Sequence, residues 1–176
     1  PEESIGMRAP GNLDDMINYS RIYKNEGIRH IFDPGQSLPI WTGDGLRECI
    51  NGAEILIAND YEMGLIANST GLDITELAKL ANSVITTMGV EGSLITMGET
   101  SITIPSVEPN KVSDPTGAGD SYRGGLIKGL IEGKDLAEAA LMGSVCASFA
   151  IEVEGTQDYS FTAAEFQQRL STVKVK

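Results

Sequence analysis

In the stretch Val112-Ser113-Asp114-Pro115-Thr116-Gly117-Ala118-Gly119-Asp120-Ser121-Tyr122-Arg123-Gly124-Gly125, a carboxylate stands beside small residues where a helical pattern begins. Pro115 turns the backbone, and Gly117 and Gly119 carry no Cβ to hold an incoming group away. The following peptides enter a helix, whose orphan N–H groups and positive macrodipole end favour an anion. Asp120 falls in that first turn, and two readings are open. As a first-turn carboxylate it helps to cap the helix and complements its dipole. As a catalytic group it takes a proton from an attacking hydroxyl while the N–H groups of Gly117, Ala118 and Gly119 hold a transferring phosphoryl group. Such a transfer asks the protein mainly for positioning and charge stabilisation, with a metal accompanying the nucleotide.

Composition narrows the class. The chain has 176 residues, 41% of them hydrophobic, which suits one domain with a core of its own. No apolar run approaches the roughly 20 residues of a membrane-spanning helix, and no signal peptide is visible. With 13 basic against 25 acidic residues, a formal charge of −12 and no basic patch, neither nucleic acid nor a membrane is an expected partner. Cys49 and Cys146 lie in helix-like apolar contexts and read as core thiols in a reducing cytoplasm, with a single disulfide as the alternative. One histidine, His30, excludes a multi-histidine zinc site and argues against a Ser-His-Asp triad, so it is given no function. Two other phosphate motifs are absent: Gly133-Lys134 is followed by Asp135 where a P-loop needs Ser or Thr, and Tyr122 stands where a dinucleotide fingerprint needs a third glycine.

The elements that must position the central stretch follow from periodicity. Asn12 caps an amphipathic helix that carries Leu13, Met16, Ile17 and Tyr23 and ends at Gly27. Ile28–Asp33 reads as a strand stopped by Pro34-Gly35, followed by a short helix around Leu46–Ile50 and a buried strand Ile55–Ala58. A helix over Asp73–Ala81 turns Ile74, Leu77, Ala78 and Ala81 inward. The β-rich runs Ser83–Gly89 and Gly92–Gly98, the alternating Ser101–Ile104 and a loop from Pro105 to Pro109 then lead to the central stretch. Beyond Asp120 a helix reaches about Ile131, with Gly124 and Gly125 allowing close packing and Arg123 drawn toward a carboxylate or phosphate. Asp135 caps a long apolar helix from Leu136 to about Ile151, and a last amphipathic helix covers about Thr162–Leu170. Alternation of helices and strands implies an α/β fold with a mainly parallel sheet.

Two further groups lie where ligands are met in such folds. Ala58-Asn59-Asp60-Tyr61-Glu62 falls where a buried strand ends and a helix begins, a position that suits a site. Asn59 or Asp60 as a plain N-cap with Glu62 in the first turn is the alternative. Gly89 and Gly92 by themselves indicate only a turn.

Residues 114–122, Asp-Pro-Thr-Gly-Ala-Gly-Asp-Ser-Tyr, closely resemble the C-terminal signature of the ribokinase (PfkB-type) carbohydrate and nucleoside kinases, usually Asp-Thr-x-Gly-Ala-Gly-Asp-x-Phe. Asn59-Asp60-Tyr61-Glu62 resembles that family's Asn-x-x-Glu, and Thr87-Met88-Gly89-Val90-Glu91-Gly92 its Thr-x-Gly-x-x-Gly, in the same order along the chain. Asp33-Pro34-Gly35-Gln36, Gly143-Ser144 and Gly155-Thr156-Gln157 point within it to members similar to bacterial adenosine kinases. The resemblance implies a three-layer α/β/α ribokinase-like fold and transfer of the ATP γ-phosphoryl group to a hydroxyl of a nucleoside or sugar such as adenosine or ribose. It assigns Asp120 as general base, Gly117, Ala118 and Gly119 as anion hole, and Thr87, Gly89 and Gly92 as nucleotide-binding. Asn59 and Glu62 would hold Mg²⁺, mostly through water, and Asp114 with nearby carbonyls is the candidate for a monovalent cation.

The resemblance covers the whole chain, residues 1–176, as the C-terminal, nucleotide-binding part of such a kinase domain, with lid and N-terminal strands missing. The chain begins at Pro1, so it reads as a proteolytic piece, a domain, one of two associating chains, or a mature chain without its initiator Met. Its open sheet edge is expected to meet the missing half or a second copy. Alone it is expected to bind nucleotide weakly and to turn over poorly. The competing class is a non-catalytic nucleotide-binding or regulatory module.

Overall fold

The computed structural model describes residues 4–173; the first and last three residues of the expected 1–176 span lie outside them. The described residues divide into two compact units, residues 4–88 with 94–102 and residues 89–93 with 103–173. Six strands form one sheet in sequence order: β1 Gly6–Arg8, β2 His30–Phe32, β3 Ile55–Asn59, β4 Ser83–Thr87, β5 Ser93–Met97 and β6 Thr100–Ile104. The pairings β1 to β2, β2 to β3 and β3 to β4 are all parallel, whereas the two-residue connection between β5 and β6 admits only an antiparallel pair. The α/β class and the mainly parallel sheet are therefore as expected.

In the first unit, helices α1 Leu13–Asn25, α2 Gly43–Ile50, α3 Asp60–Thr70 and α4 Ile74–Leu80 alternate with the strands. Ile55 to Ala58 of β3 are all buried, as a central parallel strand covered on both faces requires. Phe32 meets Trp41 edge-on at 5.7 Å within a core that includes Leu46, Ile50, Leu56 and Ile66. Asn12 caps α1 through its side chain, as the sequence suggested, and Asp73 likewise caps α4.

Some boundaries differ. The strand expected over Ile28–Asp33 forms only over His30–Phe32, and Gly35, expected to end it, instead opens a 3₁₀ turn that runs to Ile40. The helix expected at Leu46 starts at Gly43, because Thr42 accepts a hydrogen bond from the Gly45 N–H and so caps the earlier turn. Strand β1 was not foreseen. It ends in Arg8, a buried side chain that donates to Ser20 Oγ and, at 2.9 Å, to the Cys49 carbonyl, with its guanidinium 4.5 Å from the Phe32 ring centre. Burial pulls the Arg8 pKa down from its usual value, and the polar partners and the aromatic face offset part of that cost.

Cys49 and Cys146 are both free, so the core-thiol reading holds over the disulfide. His30 is buried and bonds through Nδ1 to the Ile28 carbonyl at 2.9 Å; burial lowers its pKa, the state of a neutral core imidazole. Among the described residues no helix is long and apolar enough to cross a membrane.

The second unit is built on α5 Ala118–Ile131 and α6 Leu136–Ala150, with α7 Ala163–Ser171 beside them. Close approaches pair Tyr122 with Gly143, Gly125 with Met142 and Gly129 with Ala139, so α5 and α6 run antiparallel. A Cβ on Gly125 would stand 2.6 Å from the Met142 carbonyl oxygen, one on Gly129 2.7 Å from the Ala139 Cα, and one on Gly143 2.7 Å from the Tyr122 carbonyl oxygen. These are backbone atoms, so the neighbour cannot turn aside. Gly124, expected to pack closely, instead faces open space, since successive helical positions point about 100° apart. Segment 151–162 then folds back: Phe161 stacks on Phe149 at 4.4 Å and on Phe166 of α7 at 5.9 Å.

This packing separates two adjacent glycines. Gly125→Ala is expected to destabilise the protein by about 1–3 kcal/mol through overpacking. Gly124→Ala is expected to be neutral or to stabilise by about 0.5–1 kcal/mol. Denaturant unfolding of both variants checks the pair, and equal effects would contradict the α5–α6 geometry.

Candidate active site

The central stretch ends in a helix start unlike the others. Helices α1, α2, α3, α4, α6 and α7 each have an N-cap side chain that accepts a first-turn N–H. Helix α5 begins after Gly117, whose φ of +83° a side chain would resist, and no side chain caps it. It starts at Ala118, so Asp120 lies in the first turn, as expected, at the third helical position. At that position in α3, α4 and α7 a glutamate reaches back to close a capping box. Asp120 is exposed and closes no such box.

The three peptides expected to form the anion hole are not equivalent. The Ala118 N–H donates to the Pro115 carbonyl at 3.2 Å, and the Ser121 N–H enters the regular helical pattern by donating to the Gly117 carbonyl at 3.0 Å. The Gly119 and Asp120 N–H groups lie between them, where a helix has donors but no intrahelical acceptors. Arg123 Nη1 lies 2.7 Å from the place a Cβ on Gly119 would take, so the missing side chain admits a guanidinium beside the helix start. Arg123 was anticipated from the sequence as a residue drawn toward charge.

Around this start the backbone is tied down by the chain after α6. Ser113 and Asp114 both donate their N–H to the Ile151 carbonyl, at 2.8 and 3.3 Å, and Ser113 Oγ donates to the Glu152 carbonyl at 2.9 Å. Asp114 accepts from the Thr116 N–H at 2.9 Å through Oδ1 and from the Gly155 N–H at 3.1 Å through Oδ2. Bonding to Thr116, and then to Gly155, holds its carboxyl below the usual carboxylate range. Asp114 thus has both oxygens engaged in fixing the loop. Glu152 Oε1 accepts the Asn110 N–H at 2.6 Å and pairs with Arg169 at 2.9 Å, and Arg169 stacks on Phe149 with its guanidinium 3.6 Å from the ring centre. Sequence reasoning gave Glu152 and Arg169 no role; only their burial against each other, 17 residues apart, reveals them.

In the same unit, Gly89–Glu91 forms a 3₁₀ turn and Ser106 Oγ donates to the Val90 carbonyl at 2.6 Å. Gly92, with φ of +88°, leaves no room for a Cβ against the backbone of Ile104 to Ser106, whereas Gly89, with φ of +56°, meets open space. The first glycine therefore answers to backbone conformation and the second to a close crossing as well.

In the first unit, Asn59 and Glu62 form a reciprocal capping box: the Glu62 N–H donates to Asn59 Oδ1 at 2.7 Å, and Glu62 Oε2 accepts the Asn59 N–H at 3.0 Å. Asn59 is exposed and Glu62 half-buried at the C-terminal end of β3, and Thr87, at the corresponding end of β4, is in register with Asn59. The plain N-cap arrangement is thus realised, and it holds the amide and carboxylate at a strand end. Among the described residues no three His, Cys, Asp or Glu side chains cluster as a metal cage. An exposed amide beside a half-buried carboxylate instead suits a hard cation that keeps most of its waters.

The model of the pfkB family carbohydrate kinases matches residues 9–163. A nucleoside kinase of Methanocaldococcus jannaschii is 35% identical over 144 residues, covering 82% of this chain and 48% of that protein. An adenosine kinase of Saccharomyces cerevisiae is 30% identical, covering 86% of this chain and 45% of that protein. The nucleoside kinase of Burkholderia thailandensis in complex with inosine superposes with a TM-score of 0.92 at 35% identity, over 96% of this chain and 55% of that one. Its complex with ADP-inosine gives 0.91 at the same identity. The chain thus spans about half the length of the relatives it matches. With the family model matched over most of its residues, the chain belongs to the pfkB family of carbohydrate kinases.

Proposed function

We propose that the protein to which this chain belongs transfers the γ-phosphoryl group of ATP to a primary hydroxyl of a nucleoside, with residues 1–176 as its nucleotide-binding C-terminal part. The observation that carries this reading is the uncapped start of α5, which offers the Gly119 and Asp120 N–H groups and holds an exposed carboxylate in the same turn. A helix start made only to bind an anion gains nothing from a carboxylate placed there, whereas a phosphoryl transfer needs a proton acceptor beside the anion site. The nucleoside is favoured as acceptor because the relatives named above are nucleoside and adenosine kinases, one of them in complex with inosine.

In this mechanism the Asp120 carboxylate accepts the hydroxyl proton as the oxygen attacks the γ-phosphorus, and the bond to the bridging oxygen breaks to release ADP. The N–H groups at the start of α5, with Gly117 and Ala118 shaping the turn, face the charge that develops on the phosphoryl oxygens. Arg123 adds positive charge beside them. The Thr87-to-Gly92 segment supports the nucleotide. Asn59 and Glu62 would hold, mostly through water, a Mg²⁺ ion, which when bound would neutralise phosphate charge. We assign Asp114 to holding the loop.

Asp120→Asn is expected to lower kcat of the full-length protein by at least about 100-fold. Its ADP affinity is expected to stay equal or rise, because a charge that repels phosphate is removed. Retained turnover removes Asp120 from the base role, and a wild-type protein that binds ADP but phosphorylates no nucleoside or sugar supports the binding module instead. Glu62→Gln keeps the side-chain acceptor needed for the capping box while removing its charge. It is expected to raise several-fold the Mg²⁺ concentration needed for half-maximal rate, with thermal stability little changed; a residue that only caps leaves the Mg²⁺ dependence where it was.

A further inference from the structure

Tyr122 follows the proposed base by two positions, on a side chain that faces away from solvent. Its ring is buried against Gly143 of α6, where a Cβ would stand 3.1 Å from the ring. Its hydroxyl reaches 2.8 Å from Ser93 Oγ. Ser93 is fully buried and directly follows Gly92, the glycine that closes the 3₁₀ turn. Burial pushes the Tyr122 phenol up to about 12, so it remains a neutral hydroxyl at any pH the protein meets. Where related signatures end in Phe this chain has Tyr, and the added oxygen does not go to waste in the core: it has a partner 29 residues away in sequence. On its other side the same turn of α5 is held by Ser121 Oγ, which donates to the Tyr159 hydroxyl at 2.7 Å.

We propose that the Tyr122–Ser93 hydroxyl pair is a positioning link that fixes the Gly89–Gly92 turn to the first turns of α5, so that the two backbone segments meet the nucleotide in one register. This rests on the nucleotide-binding reading above. Neither hydroxyl touches substrate; each acts through the backbone it holds. The ring of Tyr122 fills the space against Gly143 by itself, so packing of α5 on α6 does not need the oxygen, whereas the alignment of the turn does. A buried hydrogen bond that joins two segments far apart in sequence has this effect because leaving either hydroxyl alone in the core is unfavourable.

The test uses Tyr122→Phe, Ser93→Ala and the double variant. In the full-length protein, each single variant is expected to raise KM for ATP by about 3- to 10-fold, the range of one buried hydrogen bond. KM for the nucleoside and kcat are expected to stay near the wild-type values. The double variant is expected to be no worse than the poorer single one, as for two groups acting through one bond. In parallel, amide hydrogen exchange of residues 1–176 without nucleotide is expected to quicken in Tyr122→Phe over both 89–93 and 117–121. Unchanged exchange in both segments overturns the proposal, as do additive effects or a loss confined to kcat. If the wild-type protein shows no kinase turnover, the function proposed above fails, and the exchange measurement still decides whether the pair is the link.

Discussion

A helix must satisfy or leave open the N–H groups of its first turn, and the second unit depends on leaving them open at one place. Among the described residues, six of the seven α-helices close that turn with a side chain. Only α5 has glycine at the cap, in a left-handed conformation that also brings its chain against Thr156, where a Cβ would stand 2.9 Å from the carbonyl oxygen. Open backbone donors near solvent are useful only if the backbone that carries them is rigid. The hydrogen bonds from Ser113 and Asp114 to the chain after α6, and the Glu152–Arg169 pair behind them, supply that rigidity.

The same logic explains why the supporting parts are more deeply placed than the residues proposed to act. Asp120 and Asn59 are exposed and Glu62 is half-buried, whereas Tyr122, Ser93 and the glycine contacts between α5 and α6 are buried. Exposed groups tolerate charge and exchange water, as a site for phosphate and a hydrated cation needs. Buried groups set their direction. Arg8, a buried cation of the first unit, adds a side-chain tie to the backbone pairing of β1 with β2.

Local features were legible in the sequence, and features made by crossing segments were not. The caps at Asn12 and Asp135 could be read because each needs only a side chain and an N–H three residues on. Strand β3 could be read because four consecutive apolar residues match a strand buried on both faces. The first-turn position of Asp120 could be read because Pro115 and the glycines mark where the helix begins. Gly124 and Gly125 are identical as letters, and only the place where α6 crosses tells them apart. Strand β1 was too short to alternate visibly. The Asn59-to-Glu62 segment was open between a cap and a ligand site, and the capping box now seen at a strand end shows that these are compatible, since the cap orients the groups a ligand would meet.

The central claim is that the open first turn of α5 receives phosphate, and its most direct test is a titration of isotopically labelled residues 1–176 with ADP and Mg²⁺, followed by the amide resonances of Gly119 and Asp120. The account predicts that these two amides shift together and saturably with ADP and stay in place with adenosine, which has no phosphate. Saturable shifts elsewhere in the chain with these two amides unmoved would contradict it.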